Sequence, residues 1–181
     1  SMKMVRVALL VVLLSLASGA PLAAPPPGEY QIKAAYLLNF ARYVEWPAAR
    51  LAAAQALRVC VLGRDPFGGA LSALDGRQIN GREVRIRQLE GIDLAGECLV
   101  VFIADSEERR LGSMLRSLAS RGLLLVSDLD GFAEAGGSIG LVTEDGRVRF
   151  DINQASLQRD GLRASAQLLR LARSVHGARA P

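Results

Sequence analysis

The sequence predicts a single α/β domain of three layers: a mostly parallel central sheet with helices on both faces, closed by a C-terminal hairpin and a long helix. Three observations predict it. Short, fully apolar or β-branched runs, Leu57–Gly63, Cys98–Ala104 and Leu123–Ser127, have the length and composition of strands covered on both faces. Segments of helical character alternate with them, as parallel crossovers require. Ser138–Thr143 and Arg147–Ile152 flank Glu144-Asp145-Gly146, whose Asp-Gly pair marks a hairpin turn. A chain of 181 residues, 50% of them hydrophobic, is long enough to bury one such core.

The chain opens on a leader. Lys3 and Arg6 form a short positive stretch, Val7–Leu14 is an unbroken apolar run, and small residues follow at Ala17, Ser18, Gly19 and Ala20. This run is shorter than the roughly 20 apolar residues of a membrane-spanning helix, so residues 1–24 are expected to be a cleaved secretory signal. A proline-rich spacer at 25–28, the domain at 29–176 and a short tail at 177–181 complete the expected organisation. The formal charge of +4 includes Lys3 and Arg6, which leaves +2 for everything after the leader. Such a balanced domain is not expected to bind nucleic acid.

Within Glu29–Trp46, residues Ile32, Tyr36, Phe40, Tyr43 and Val44 recur at spacings of three and four, one face of a helix. Pro47 should stop it at Trp46, and the aromatic rings are expected in the core. After the strand Leu57–Gly63, the stretch GRDPFG (63–68) turns into a short helix reaching about Leu74. Arg82–Leu89 sets Val84, Ile86 and Gln88 against Arg85, Arg87 and Leu89, a half-exposed strand near a sheet edge. Asp105 with Glu108 three residues on resembles a capping box, which opens a helix to about Ser120 that Gly122 ends. Gln154–Val175 is expected as one helix. Leu157, Ala164, Leu168, Leu171 and Val175 lie on one side of it, and Arg163, Gln167, Arg170 and Ser174 on the other.

Few residues point to chemistry. Two cysteines exclude a disulfide-dense scaffold. In an oxidising compartment Cys60 and Cys98 are expected to bond if their strands are adjacent and both face one side; two buried thiols are the alternative. Neither belongs to a Cys-x-x-Cys motif, and one histidine, His176, builds no histidine metal site. No cofactor is expected, and His176 is read as a helix-terminal charge. There is no Gly-x-Ser-x-Gly, and 63–69 lacks the Lys-Ser/Thr pair of a phosphate loop, so an enzyme is not expected.

Binding surfaces are the remaining candidates. Ligands of open parallel sheets gather at the carboxyl ends of the strands. There Arg64, Asp65, Phe67, Asp105, Ser106, Ser127 and Asp128 form a candidate rim for a ligand or partner. Asp65 before Pro66, and Asp105, are read first as helix caps, a role that leaves ligand contact open to the same residues. Gly136-Gly137 is read as a tight turn. Of 22 basic residues only Lys3 and Lys33 are lysine. Arginine forks suit partner carboxylates, which makes Arg163, Arg170 and Arg173 a candidate partner surface, with a solvated helix face as the alternative.

Five blocks in series, KAAYLLNFARYVEWP (33–47), LRVCVLGRDPFG (57–68), VSDLDGFAEAGGSIGLV (126–142), RVRFDIN (147–153) and GLRASAQLLRLA (161–172), resemble the YfiR-like family of exported bacterial proteins. The resemblance implies a non-enzymatic periplasmic regulator. Such a protein represses a membrane-bound diguanylate cyclase by binding its periplasmic domain, and so modulates cyclic-di-GMP and biofilm formation. It further implies homodimers and sequestration by an outer-membrane lipoprotein that binds peptidoglycan. The family pattern carries two disulfides: Cys60 and Cys98 match one pair, and the second pair is absent here. Redox control through that missing bridge does not carry over. Read from the residues alone, the other function is a periplasmic small-ligand sensor that uses the strand-end rim.

Overall fold

Chain order in the computed structural model is α1 (Glu29–Tyr43), β1 (Val44–Glu45), α2 (Ala48–Ala53), β2 (Leu57–Leu62), β3 (Gln78–Ile79), β4 (Arg82–Leu89), β5 (Val100–Ile103) and α3 (Leu111–Leu118). It continues with β6 (Leu124–Ser127), β7 (Ile139–Glu144), β8 (Arg147–Asn153), α4 (Gln154–Arg159), β9 (Arg163–Ala164), α5 (Ala166–Leu171) and β10 (Ser174–His176). The structure describes residues 28–177. The expected leader, most of the proline spacer and most of the tail lie outside the described residues.

Eight strands form one sheet in the order β10-β8-β7-β6-β5-β2-β4-β3. Its centre is parallel: β4, β2, β5, β6 and β7 run together, while β8 pairs antiparallel with β7 and parallel with β10, and β3 pairs antiparallel with β4. The period-2 alternation of the central strands sorts their side chains into two cores. Val59 and Val61 of β2, Phe102 of β5 and Val126 of β6 pack with Leu37 and Phe40 of α1. Cys60 and Leu62, Val101 and Ile103, and Leu125 face the other way, onto Met114, Leu115 and Leu118 of α3. The expected three-layer α/β domain is therefore present. Phe102 is fully buried, its ring 4.8 Å from that of Phe67 in an edge-to-face contact. Burial of one such side chain stabilises by about 1.5–3 kcal/mol.

The cysteines obey the same alternation. Cys60 pairs in register with Val101 of β5, and Cys98, just before that strand, turns to the α3 face. They form a disulfide, with Cα atoms 6.1 Å apart and both residues fully buried.

The hairpin is as expected: Asp145 and Gly146 have φ of 51° and 72°, the paired left-handed conformation of a tight two-residue turn. Gly136-Gly137 close the expected turn: Gly136 has φ 114° and Gly137 N donates to the Phe132 carbonyl at 3.0 Å, and a Cβ on Gly137 would also collide with the ring of Phe132.

Four expected elements are corrected. The long helix Gln154–Val175 is broken. Gly161 takes φ 73°, and Gly161 N and Leu162 N donate to the carbonyls of Gln158 and Leu157 at 3.0 and 2.8 Å, a Schellman ending of α4. Ser165 then caps a new helix, its hydroxyl accepting from Leu168 N at 3.1 Å. Arg163, Gln167, Arg170 and Ser174 are thus not one helical stripe. His176 lies in β10 beside Asn153 of β8, not at a helix end. Asp105 caps nothing: residues Asp105–Arg110 form a 3-10 turn, and the α-helix begins only at Leu111. Finally, the buried face of α1 is Lys33, Ala34, Leu37, Leu38, Phe40 and Ala41, which turns Ile32, Tyr36 and Tyr43 to its flanks.

Candidate functional site

The parallel topology brings the ends of β2, β5 and β6 to one edge, where Gly63–Phe67, Asp105-Ser106 and Ser127-Asp128 meet. Each of these loops is tied to the chain itself. Asp65 Oδ1 accepts from Phe67 N at 2.7 Å, a local Asx turn with no helix behind it. Ser106 Oγ accepts from Arg64 N at 2.9 Å. Gly63 has φ 97°, and a Cβ there would lie 2.7 Å from both Ser106 Oγ and Glu107 Cγ, so only glycine permits this approach. The Ser127 hydroxyl donates to the Ile103 carbonyl at 2.6 Å and accepts from Leu129 N at 3.1 Å. Phe67 is buried between Tyr30 and Phe102. Arg64, Asp65, Asp105 and Ser106 remain exposed.

Asp128 is the centre of the rim. Its Oδ2 accepts from Tyr30 Oη at 2.7 Å and from Lys33 Nζ at 2.8 Å. Lys33 also reaches Glu29 at 2.7 Å and lies 4.6 Å from the centre of the Tyr30 ring. The side chains of Lys33 and Asp128 are 5% and 9% exposed, so this is a buried ion pair in which Asp128 Oδ2 accepts two hydrogen bonds and Lys33 Nζ donates two. Burial acts to lower the Lys33 ammonium's pKa, but hydrogen bonds to Asp128 and Glu29 outweigh it and hold the group above its ordinary value. Burial, then the hydrogen bond to Asp128, push the Tyr30 hydroxyl well above the usual tyrosine range. Sequence reasoning placed Asp128 here but missed Glu29, Tyr30 and Lys33. The available signal was that Lys33 is the single lysine after the leader in an arginine-rich chain.

The candidate partner surface divides. Arg163 of β9 and Arg170 of α5 are exposed. Arg173 is held within the chain: its Nε and Nη2 donate to the two carboxylate oxygens of Asp151 at 3.0 and 2.6 Å, and its Nη1 to Glu144 at 3.2 Å. Ser174 Oγ donates to Asp151 Oδ1 at 2.7 Å. Burial raises the Asp151 pKa, but the bonds from Arg173 and Ser174 outweigh it and hold the carboxyl below the usual range. The Asp151 and Glu144 hydrogen bonds raise Arg173 in turn. Beside this fork, Leu171 is 60% and Val175 37% exposed, both unread as surface in the sequence. Val175 lies in β10, the edge strand of the large sheet.

These features define a small α/β domain: its strand-end rim is tied by internal hydrogen bonds, the outer strand β10 carries exposed Val175, and Arg170 and Leu171 are exposed at the end of α5. The chain belongs to the YfiR/HmsC-like family, whose model matches residues 30–173. Among solved structures, a conserved domain protein from Vibrio cholerae O1 biovar eltor is similar in fold, with a TM-score of 0.57 at 9% identity over 81% of this chain. The alignment spans 60% of that protein's chain. The ABC domain in complex with L-Trp from Streptococcus pneumonia aligns over 65% of this chain and 54% of its own, at 11% identity and a TM-score of 0.47. Among the described residues no helix is long and apolar enough to cross a membrane.

Proposed function

We propose that this chain is a non-enzymatic periplasmic repressor that binds the periplasmic domain of an inner-membrane diguanylate cyclase, and so lowers cyclic-di-GMP and restrains biofilm formation. One observation carries the docking face: Val175 is exposed on β10, the outer strand of the large sheet among the described residues, and Arg170 and Leu171 are exposed at the end of α5 just before it in the chain. Exposed apolar residues together with arginine are the composition of a protein interface, and an edge strand accepts a further strand. Arg163 is exposed on β9; Arg173 shapes the edge through Asp151 instead of reaching outward. Within the same reading the protein works as a homodimer and is sequestered by an outer-membrane lipoprotein. Export through the leader at residues 1–24 delivers it.

Deletion of the gene should raise cyclic-di-GMP and promote aggregation, and the wild-type gene should reverse both. A folded Leu171→Glu/Arg170→Glu variant should fail to reverse them. Unchanged cyclic-di-GMP after deletion, with the cognate cyclase present, sinks the reading.

A small-ligand sensor is the second function. Its support is the cluster of exposed groups Arg64, Asp65 and Asp105 at the strand-end rim. Calorimetry against periplasmic metabolites should then give a hit that Asp65→Ala or Asp128→Ala abolishes.

A further inference from the structure

At the opposite, amino-terminal end of the parallel strands lies a cavity of about 340 Å³. Its walls come from the end of α1, β1, α2 and the starts of β2 and β4, with Val44, Leu51, Leu57, Ile79 and Leu99 as apolar lining. Trp46 forms part of the same wall. It is 7% exposed, and among the described residues its indole Nε1–H is the buried side-chain polar group that has no hydrogen-bond partner. An indole can only donate, so whatever satisfies it must bring an acceptor. Leaving such a donor unpaired is costly.

Charge narrows the class. Arg42 and Arg82 both line the cavity, against a single carboxylate, Glu45. Arg82 Nη1 donates to the Ala54 carbonyl at 3.2 Å, and among the described residues neither arginine is in an ion pair. We propose that this cavity binds a small carboxylate with an apolar body. The body lies against the valine, leucine and isoleucine walls, and the carboxylate sits between the two guanidinium groups and accepts from Trp46 Nε1. The indole nitrogen is shielded from solvent, so binding opens the wall around Trp46. The size and the apolar lining with a few polar groups are those of a small-molecule site. The proposal is independent of the docking face at β10 and of the strand-end rim.

Trp46 is the sole tryptophan, so it gives one indole N–H resonance and all the tryptophan fluorescence. Titration of the ¹⁵N-labelled protein with hexanoate should move that resonance downfield saturably and change the emission with the same midpoint. Hexan-1-ol and hexylammonium should bind at least tenfold more weakly. By calorimetry, Trp46→Phe should weaken hexanoate about tenfold, the loss of one hydrogen bond, and Arg82→Gln should weaken it severalfold. A hexanoate titration that leaves the indole resonance in place overturns the proposal, and so does hexan-1-ol binding as tightly as hexanoate. Both readouts use the wild-type protein and hold even if a variant fails to fold.

Discussion

Lys33 on α1 donates to Asp128 at the end of β6, 2.8 Å away and 95 residues apart in sequence. The pair clamps the first helix to the carboxyl ends of the central strands, and Tyr30 Oη, one turn earlier, donates to the same Asp128 oxygen. A lysine on the buried face of a helix is tolerable only because its charge is met on arrival.

Removal of one partner should cost far more than removal of both. Lys33→Met leaves a buried carboxylate with one donor fewer and should destabilise by about 3–5 kcal/mol. Lys33→Met combined with Asp128→Leu should recover a substantial part of that loss, since no unpaired charge remains. Urea denaturation of the two single variants and the double variant measures this. Additive losses would show that the two groups do not act as a pair.

Stability should fall at both ends of the pH scale, for different residues. Asp151 titrates lower in the folded chain than in the unfolded one. Its contribution is therefore present above the unfolded value, about 3.9, and is lost as pH falls through the depressed folded value. Tyr30 and Lys33 titrate higher when folded. Their contribution is present below the unfolded values, about 10 for both, and is lost as pH rises through the folded ones. Thermal melts from pH 2 to 12 should show both limbs. Asp151→Asn should flatten the acid limb alone, and Tyr30→Phe the alkaline one.

The disulfide joins cysteines 38 residues apart and lies in a fully buried layer. It should contribute about 3–4 kcal/mol. The native protein should resist thiol reagents and reduction, and reduction should become fast only where the fold opens. A Cys60→Ala/Cys98→Ala variant should match the reduced protein in its urea midpoint. Prompt labelling of either cysteine in the unfolded, unreduced chain would remove the bridge.

What was legible in the sequence was legible for a physical reason. Central strands such as Cys98–Ala104 are apolar throughout because both faces are covered, and Asp145-Gly146 announces its own turn. The disulfide followed from compartment and strand alternation. The rim was legible as a place, since parallel strand ends converge, but its main partners, Tyr30 and Lys33, come from a helix whose rotation depends on packing. Five aromatic and aliphatic residues at helical spacing suggested one face; the structure buries the smaller Ala34, Leu37 and Ala41 against the sheet and accommodates Lys33 through Asp128. The break after α4 carried local signals in Gly161 and Ser165, yet the apolar spacing ran through them. Asp160 decides there: its carboxylate accepts from Arg121 N and Gly122 N at 3.0 and 3.1 Å, a contact no local pattern reveals.

That junction also supports the C-terminal edge, and it should be separable from the core. Gly161 has φ 73°, and a Cβ there would lie 3.0 Å from Pro47 Cγ. Gly161→Ala therefore adds both a left-handed penalty, about 1–2 kcal/mol, and a contact with the segment after β1. Asp160, whose side chain is fully buried, adds a second handle: Asp160→Ala strands two backbone donors, at about 1–3 kcal/mol each. In Gly161→Ala, amide exchange should accelerate first at α5 and β10, for example at Leu168 and Val175, while Val61 and Phe102 keep their protection. Equal acceleration at all four amides would mean that the edge and the core open as one unit, and that Leu171 and Val175 cannot be mobilised without unfolding the domain.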